Sequence, residues 1–159
     1  MKETTFNKLE NWQKDLILKA ESVMRRSYNL YSHFCVGAAV LSNSGKIYLG
    51  TFAENSSQGG TICAERAAIL AANTDGERYY KAIAVIGAGE TFDCKEPVTP
   101  CGECRQFMND FAQIAQQDIM LICSNTKKDK IFITSIKELL PVPFGPDDSG
   151  QDVSRFRKK

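Results

Sequence analysis

Cys63 and Glu65 stand in the run T-I-C-A-E-R, and Cys101 and Cys104 in P-C-G-E-C-R-Q. Three thiols that ionise to thiolates are ligands suited to Zn2+, which prefers tetrahedral N/S coordination and in catalytic sites keeps its fourth position for water. Glu65, two residues past the first cysteine, can face that open position without binding the metal. Such a set makes water acidic near neutral pH and moves its protons through a carboxylate. Cys101 and Cys104 are i and i+3 at a predicted helix start, so their sulfurs point the same way. Cys63 stands at another helix start, and unpaired N–H groups at both starts favour thiolates. Three thiolates around a dication leave a net negative unit. Arg66 and Arg105, each directly after a motif element, are placed to hydrogen-bond the sulfurs and offset that charge.

A purely structural zinc site is the competing reading, but such sites fill all four positions. No convincing fourth ligand stands near, and His33, the single histidine, lies well upstream. Cys35, Cys94 and Cys123 read as small buried hydrophobes or incidental thiols. Glu65 could instead be a carboxylate that merely suits a helix start, and Phe52 could be simple packing at a strand end.

The elements that must position these groups follow from periodicity. Residues 5–27 carry Leu9, Trp12, Leu16, Ile17, Ala20, Val23 and Met24 at helical spacing. Residues 35–42 read as a buried strand, N-S-G at 43–45 as a hairpin turn, and 46–52 as the returning strand. The Ala-rich run 63–73 is helix-prone, and 80–87 is a buried strand. A second helix pattern starts at Cys101 and runs to about residue 113. Strands follow at 118–123 and 130–134, then the short helix S-I-K-E-L-L. The order implies one layered α/β domain over 1–159 with a mixed sheet, ending in a polar, frayed tail from about Asp147.

Composition narrows the class. The 159 residues carry 20 Lys and Arg against 19 Asp and Glu, a net charge of +1, so a nucleic-acid partner is not expected. M-K-E-T-T-F-N-K lacks the apolar segment of a secretory signal, and no apolar run approaches the ~18 residues of a membrane span. Six cysteines without an export signal suggest a reducing cytoplasm, where closely spaced thiols more often bind metal than form disulfides.

From about Tyr28 to Pro146 the chain resembles the small homotetrameric cytidine deaminases, zinc-dependent enzymes of nucleoside metabolism and pyrimidine salvage. The resemblance rests on Y-S-H-F-x-V-G-A-A, G-K-I-Y-x-G, E-N, I-C-A-E-R, P-C-G-x-C-R-Q and E-L-L-P-x-x-F-G-P, in that order. It implies a three-layer α/β/α fold around a five-stranded mixed sheet, Cys63, Cys101 and Cys104 as zinc ligands, and Glu65 as proton shuttle. It also implies that the Ala64 backbone and the Pro100 carbonyl flank the exchanging group and that Phe34 packs on the base. Glu54 would take a ribose hydroxyl, and Phe144 would reach a neighbouring subunit's pocket in a tetramer.

The sugar half departs from the family pattern. Phe52 replaces an Asn that normally bonds a ribose hydroxyl, Gln58 stands where many members carry a Tyr, and Leu30 replaces a Pro. A site that loses a hydroxyl partner can shift its substrate choice strongly. The alternatives are therefore a free cytosine nucleoside, a modified one of the blasticidin S type, cytosine in RNA or single-stranded DNA, and a non-catalytic zinc or nucleoside-binding protein.

Overall fold

A computed structural model describes residues 1–157. Nine residues of β2 (Phe34–Ser42) and five of β3 (Ile47–Thr51) form the expected hairpin, with Ala38 opposite Gly50. β2 also pairs antiparallel with β4 (Tyr80–Gly89), the long buried strand. β4 pairs parallel with β5 (Met120–Ser124), and β5 antiparallel with β6 (Ile131–Ser135). A parallel pair needs a crossover, which α3 (Gly102–Ala115) supplies between β4 and β5.

A sixth strand, β1 (Lys2–Thr4), pairs antiparallel with β6, so the order is β1-β6-β5-β4-β2-β3 instead of five strands. K-E-T has no apolar alternation, and only Thr4 is buried. Backbone pairing makes this strand, which periodicity cannot detect. The helix expected over 5–27 is accordingly shorter: α1 spans Asn11–Met24 and starts with a capping box between Glu10 and Gln13.

The sheet divides two cores. On one face α1 buries Leu16, Ile17, Ala20 and Met24 against Ala39, Ala84, Ile86 and Ile122. On the other, α2 (Ala64–Thr74), α3 and α4 (Ile136–Leu139) cover Val36, Ala38, Val40, Ile83, Val85 and Leu121. This is the three-layer α/β/α arrangement. Two glycines set the layer spacing. A Cβ on Gly37 would strike the α1 backbone at Ala20 and Met24, and one on Gly50 would strike α2 at Ala64, Ala67 and Ala68.

The polar C-terminal stretch does not fray as its composition suggests. Val153 is buried, Arg157 Nε donates to Ile114 O at 3.2 Å, and Asp147 N donates to Gln113 Oε1 at 3.1 Å. Long-range polar contacts to α3 hold it, which composition does not reveal.

Candidate active site

α2 leads into β4 and α3 follows it, so both helices begin beyond the carboxyl end of β4, where open α/β sheets place ligands. Cys63 immediately precedes α2 and Cys101 immediately precedes α3, each with extended backbone at the cap position. Cys104 lies one turn into α3 and is fully buried. The three Sγ atoms lie within 4.8 Å of one another, Cys63 and Cys101 at 3.8 Å. Tetrahedral Zn–S bonds of ~2.3 Å require sulfurs ~3.8 Å apart, so this donor set fits a zinc ion with little rearrangement.

The electrostatics suit a cation. The neighbouring thiol of Cys104 first, then that of Cys101 and the Arg66 guanidinium, lower the Cys63 pKa to about 6 against the effect of burial. Cys104 is pushed up by the same Cys63 neighbour and by burial. Glu65 is only 3% exposed. Burial raises its carboxyl to about 7, with the negative charge on Cys63 adding to the rise and a Cys104 hydrogen bond opposing it. A carboxyl poised near neutrality beside three thiols is suited to taking and returning a proton. Cys123, fully buried on β5, is raised to about 12 mainly by burial and secondarily by the charge of Glu65.

The two arginines behave differently. Arg66 donates from Nη2 to Thr61 O at 2.7 Å and lies 3.2 Å from Glu103, and the neighbouring Cys63 and Cys104 favour its charged form against the cost of burial. Its Nε is buried without a hydrogen-bond partner. Arg105 does not engage a sulfur as expected from its place in the motif. Its Nε donates to Pro100 O at 2.9 Å and its Nη1 to Leu139 O at 3.2 Å. Sequence adjacency to Cys104 pointed to the metal because the partner carbonyl, 34 residues downstream, is invisible in a local motif.

Phe34 is half-buried beside Phe92 and packs, with Phe52 and Cys63, at the margin of the core over which α2 and α3 lie. Phe52 follows the end of β3 and lies partly buried against that core; its backbone N donates to Val36 O and its O accepts from Tyr28 N, both at 3.0 Å. Glu54 lines a cleft of about 330 Å³ with Tyr31, Asn55, Ser56, Gln58 and Thr61. Both Glu54 carboxylate oxygens are engaged by the turn before β2, Tyr31 N donating at 2.7 Å and Ser32 N at 3.1 Å. The Ser32 side chain first, and behind it these two backbone N–H groups, hold the Glu54 carboxyl below its usual range. No pattern in the sequence signals that Tyr31 and Ser32 serve as its donors, because backbone N–H groups carry no residue code.

Ala64 is fully buried as the first residue of α2, where N–H groups have no intrahelical partner. Pro100 is buried, and its carbonyl already accepts from Arg105. Phe144 is 70% exposed, and its carbonyl accepts from Gln106 Nε2 at 2.8 Å.

Fold and site together define an α/β/α protein with a three-thiol cluster able to hold a metal ion next to a buried carboxyl. The comparisons with known proteins narrow this further. The family model of the cytidine and deoxycytidylate deaminase zinc-binding region matches residues 10–120. The cytidine deaminase of Sporosarcina psychrophila is 39% identical over 133 residues, 84% of this chain and 91% of its own. That of Halalkalibacterium halodurans is 41% identical over 133 residues, 84% and 94% of the two chains. Among solved structures, the cytidine deaminase of Burkholderia pseudomallei superposes with a TM-score of 0.74 at 35% identity, covering 86% of this chain and 100% of its own. The chain belongs to the cytidine and deoxycytidylate deaminase family.

Proposed function

We propose that this protein is a zinc-dependent cytidine deaminase, converting cytidine or deoxycytidine and water to uridine or deoxyuridine and ammonia. The observation that carries the reading is the gathering of three sulfurs within 4.8 Å of one another, with the buried carboxyl of Glu65 electrostatically coupled to Cys63 and Cys104. Cys63, Cys101 and Cys104 hold the ion. Bound there, zinc supplies the Lewis acidity that makes a water molecule acidic near pH 7.

Glu65 would take one proton from the attacking water and deliver it to the ring nitrogen, then move the second, from the hydroxyl that the water leaves on the ring carbon, to the amine that departs as ammonia. The Ala64 N–H and the Pro100 carbonyl orient the exchanging group, and Phe34 packs on the base. Glu54 accepts from a ribose hydroxyl at the mouth of its cleft. Arg66, whose charge acts on Cys63 and Cys104, offsets the negative charge of the trithiolate.

A modified cytosine nucleoside as substrate is not favoured, since the relatives at 39% and 41% identity are both named cytidine deaminases. A nucleic-acid substrate finds no support in a chain of net charge +1. Among the described residues no helix is long and apolar enough to cross a membrane, and we place the enzyme in the cytoplasm. The exposed Phe144 is consistent with a homo-oligomer, a tetramer by family resemblance, in which a neighbour covers that ring.

The test is Glu65→Gln. Zinc content is expected to stay at wild-type level while turnover of cytidine falls by ~10²–10⁴-fold. Unchanged turnover removes Glu65 from the mechanism, and purified wild-type protein that neither retains zinc nor deaminates cytidine refutes the function.

A further inference from the structure

Of the three sulfurs, that of Cys101 sits on the least supported backbone. Cys104 is inside α3 and fully buried, whereas Cys101 is exposed, lies before the helix and follows a proline that has no N–H to donate. One side of Cys101 is fixed, because its carbonyl accepts from Arg105 N at 3.0 Å in the first turn. The other side is the Pro100–Cys101 peptide. That unit is planar, so holding the Pro100 oxygen also sets the Cys101 nitrogen and Cα.

Arg105 holds it. The Nε bond to Pro100 O is 2.9 Å, and the Nη1 bond to Leu139 O is 3.2 Å. The guanidinium is a rigid planar fork, so fixing one prong orients the other. Leu139 ends α4, where carbonyls lack intrahelical partners and accept an outside donor readily. α4 itself is anchored by Ile136, 1% exposed in the same cluster as Cys104 and Met108. The next side chain along, Gln106, fastens Phe144 O at 2.8 Å and extends the bracing toward the C-terminal segment.

We propose that Arg105 is a positioning residue which fixes the Pro100–Cys101 peptide and couples it to the end of α4, so that Cys101 is presented to the metal by a brace from a remote part of the chain. The inference rests on the reading of Cys101 as a metal ligand given above. It differs from charge compensation at the sulfurs, since the guanidinium donors go to carbonyls.

Arg105→Gln and Arg105→Lys test it with two readouts. In metal-stripped protein, amide hydrogen exchange in segments 101–106 and 136–141 is expected to rise at least ~3-fold for Arg105→Gln, with β4 unchanged. In zinc-loaded protein, release of zinc to a chromogenic chelator is expected to quicken ~10–100-fold. Arg105→Lys, which folds without a lost charge but cannot reproduce the fork, is expected to fall between wild type and Arg105→Gln in both. Exchange that rises equally in β4 marks a merely structural residue and overturns the proposal, as does unaltered exchange in 136–141 or unaltered zinc release from both variants. The exchange readout does not depend on metal or turnover, so a failure of the deaminase reading appears separately, as wild-type protein without zinc and without activity.

Discussion

Gly50→Ala tests how finely the sheet sets the position of Glu65. The residue is buried on β3, directly under α2, and a Cβ there would lie inside contact distance of Ala68 N and Ala64 O and 2.9 Å from the Ala67 carbonyl carbon. All three are backbone atoms, so no side-chain rotation relieves the clash. Reaching ordinary contact near 3.4 Å requires α2 to retreat by about 1 Å. Overpacking of this kind costs ~1–3 kcal/mol, and at ~2–4 °C per kcal/mol in a domain of this size Tm should fall by about 2–12 °C. Glu65 directly follows Ala64 in the clashing turn of α2, and a displacement of ~1 Å costs on the order of 10²-fold in rate. Gly37→Ala is the matched control. Its Cβ would meet Ala20 O and stand 3.0 Å from the Met24 backbone, pushing α1 from the opposite face of the sheet. Both variants should melt lower, but only Gly50→Ala should lose kcat beyond what unfolding explains, measured on zinc-loaded protein well below Tm. A kcat for Gly50→Ala within threefold of wild type, or an equal loss in Gly37→Ala, refutes the argument that β3 sets the carboxylate.

The remaining expectations concern the margin of the site. Phe52 packs beside the core, so Phe52→Asn should lower Tm while KM for cytidine stays within threefold; a tenfold KM change at unchanged Tm would show a direct sugar contact instead. Glu54→Ala removes the acceptor for Tyr31 N and Ser32 N, and amide exchange at 31–33 should rise several-fold in ligand-free protein. Unaltered exchange there eliminates Glu54 as the anchor of that turn. If Phe144 completes a neighbour's site, activity per subunit should fall on dilution in step with the sedimentation coefficient, and Phe144→Ala should raise KM with its zinc content unaltered. An active dilute monomer contradicts that role.

Where residue chemistry and local periodicity act together, the chain is readable without coordinates. The Ala-rich run after Cys63 and the amphipathic run after Cys101 become α2 and α3 within a residue or two, and the apolar stretch at 80–87 becomes the doubly covered β4. The cysteine cluster is readable for the same reason, since i, i+3 spacing and helix-start placement are local facts. What escapes is whatever depends on backbone groups brought together from far apart. β1 forms because β6 offers it a ladder, not because K-E-T prefers extension. Arg105 finds the Leu139 carbonyl, and Glu54 finds the N–H groups of Tyr31 and Ser32, through tertiary placement alone. The C-terminal segment looks soluble throughout, yet a few bonds to α3 order it through residue 157.

The small first strand has a consequence for how the folded molecule behaves among its neighbours. β6 reads I-F-I-T-S, rich in β-branched and aromatic side chains, and without β1 its outer N–H and C=O groups would face solvent as a template for foreign strands. β1 occupies three of its positions with a strand too short to extend the ladder further, and its outward residues Lys2 and Glu3 are charged and exposed. The sheet therefore ends in a segment that repels edge-to-edge stacking, so these few N-terminal residues guard solubility in a crowded solution although they touch none of the reacting groups.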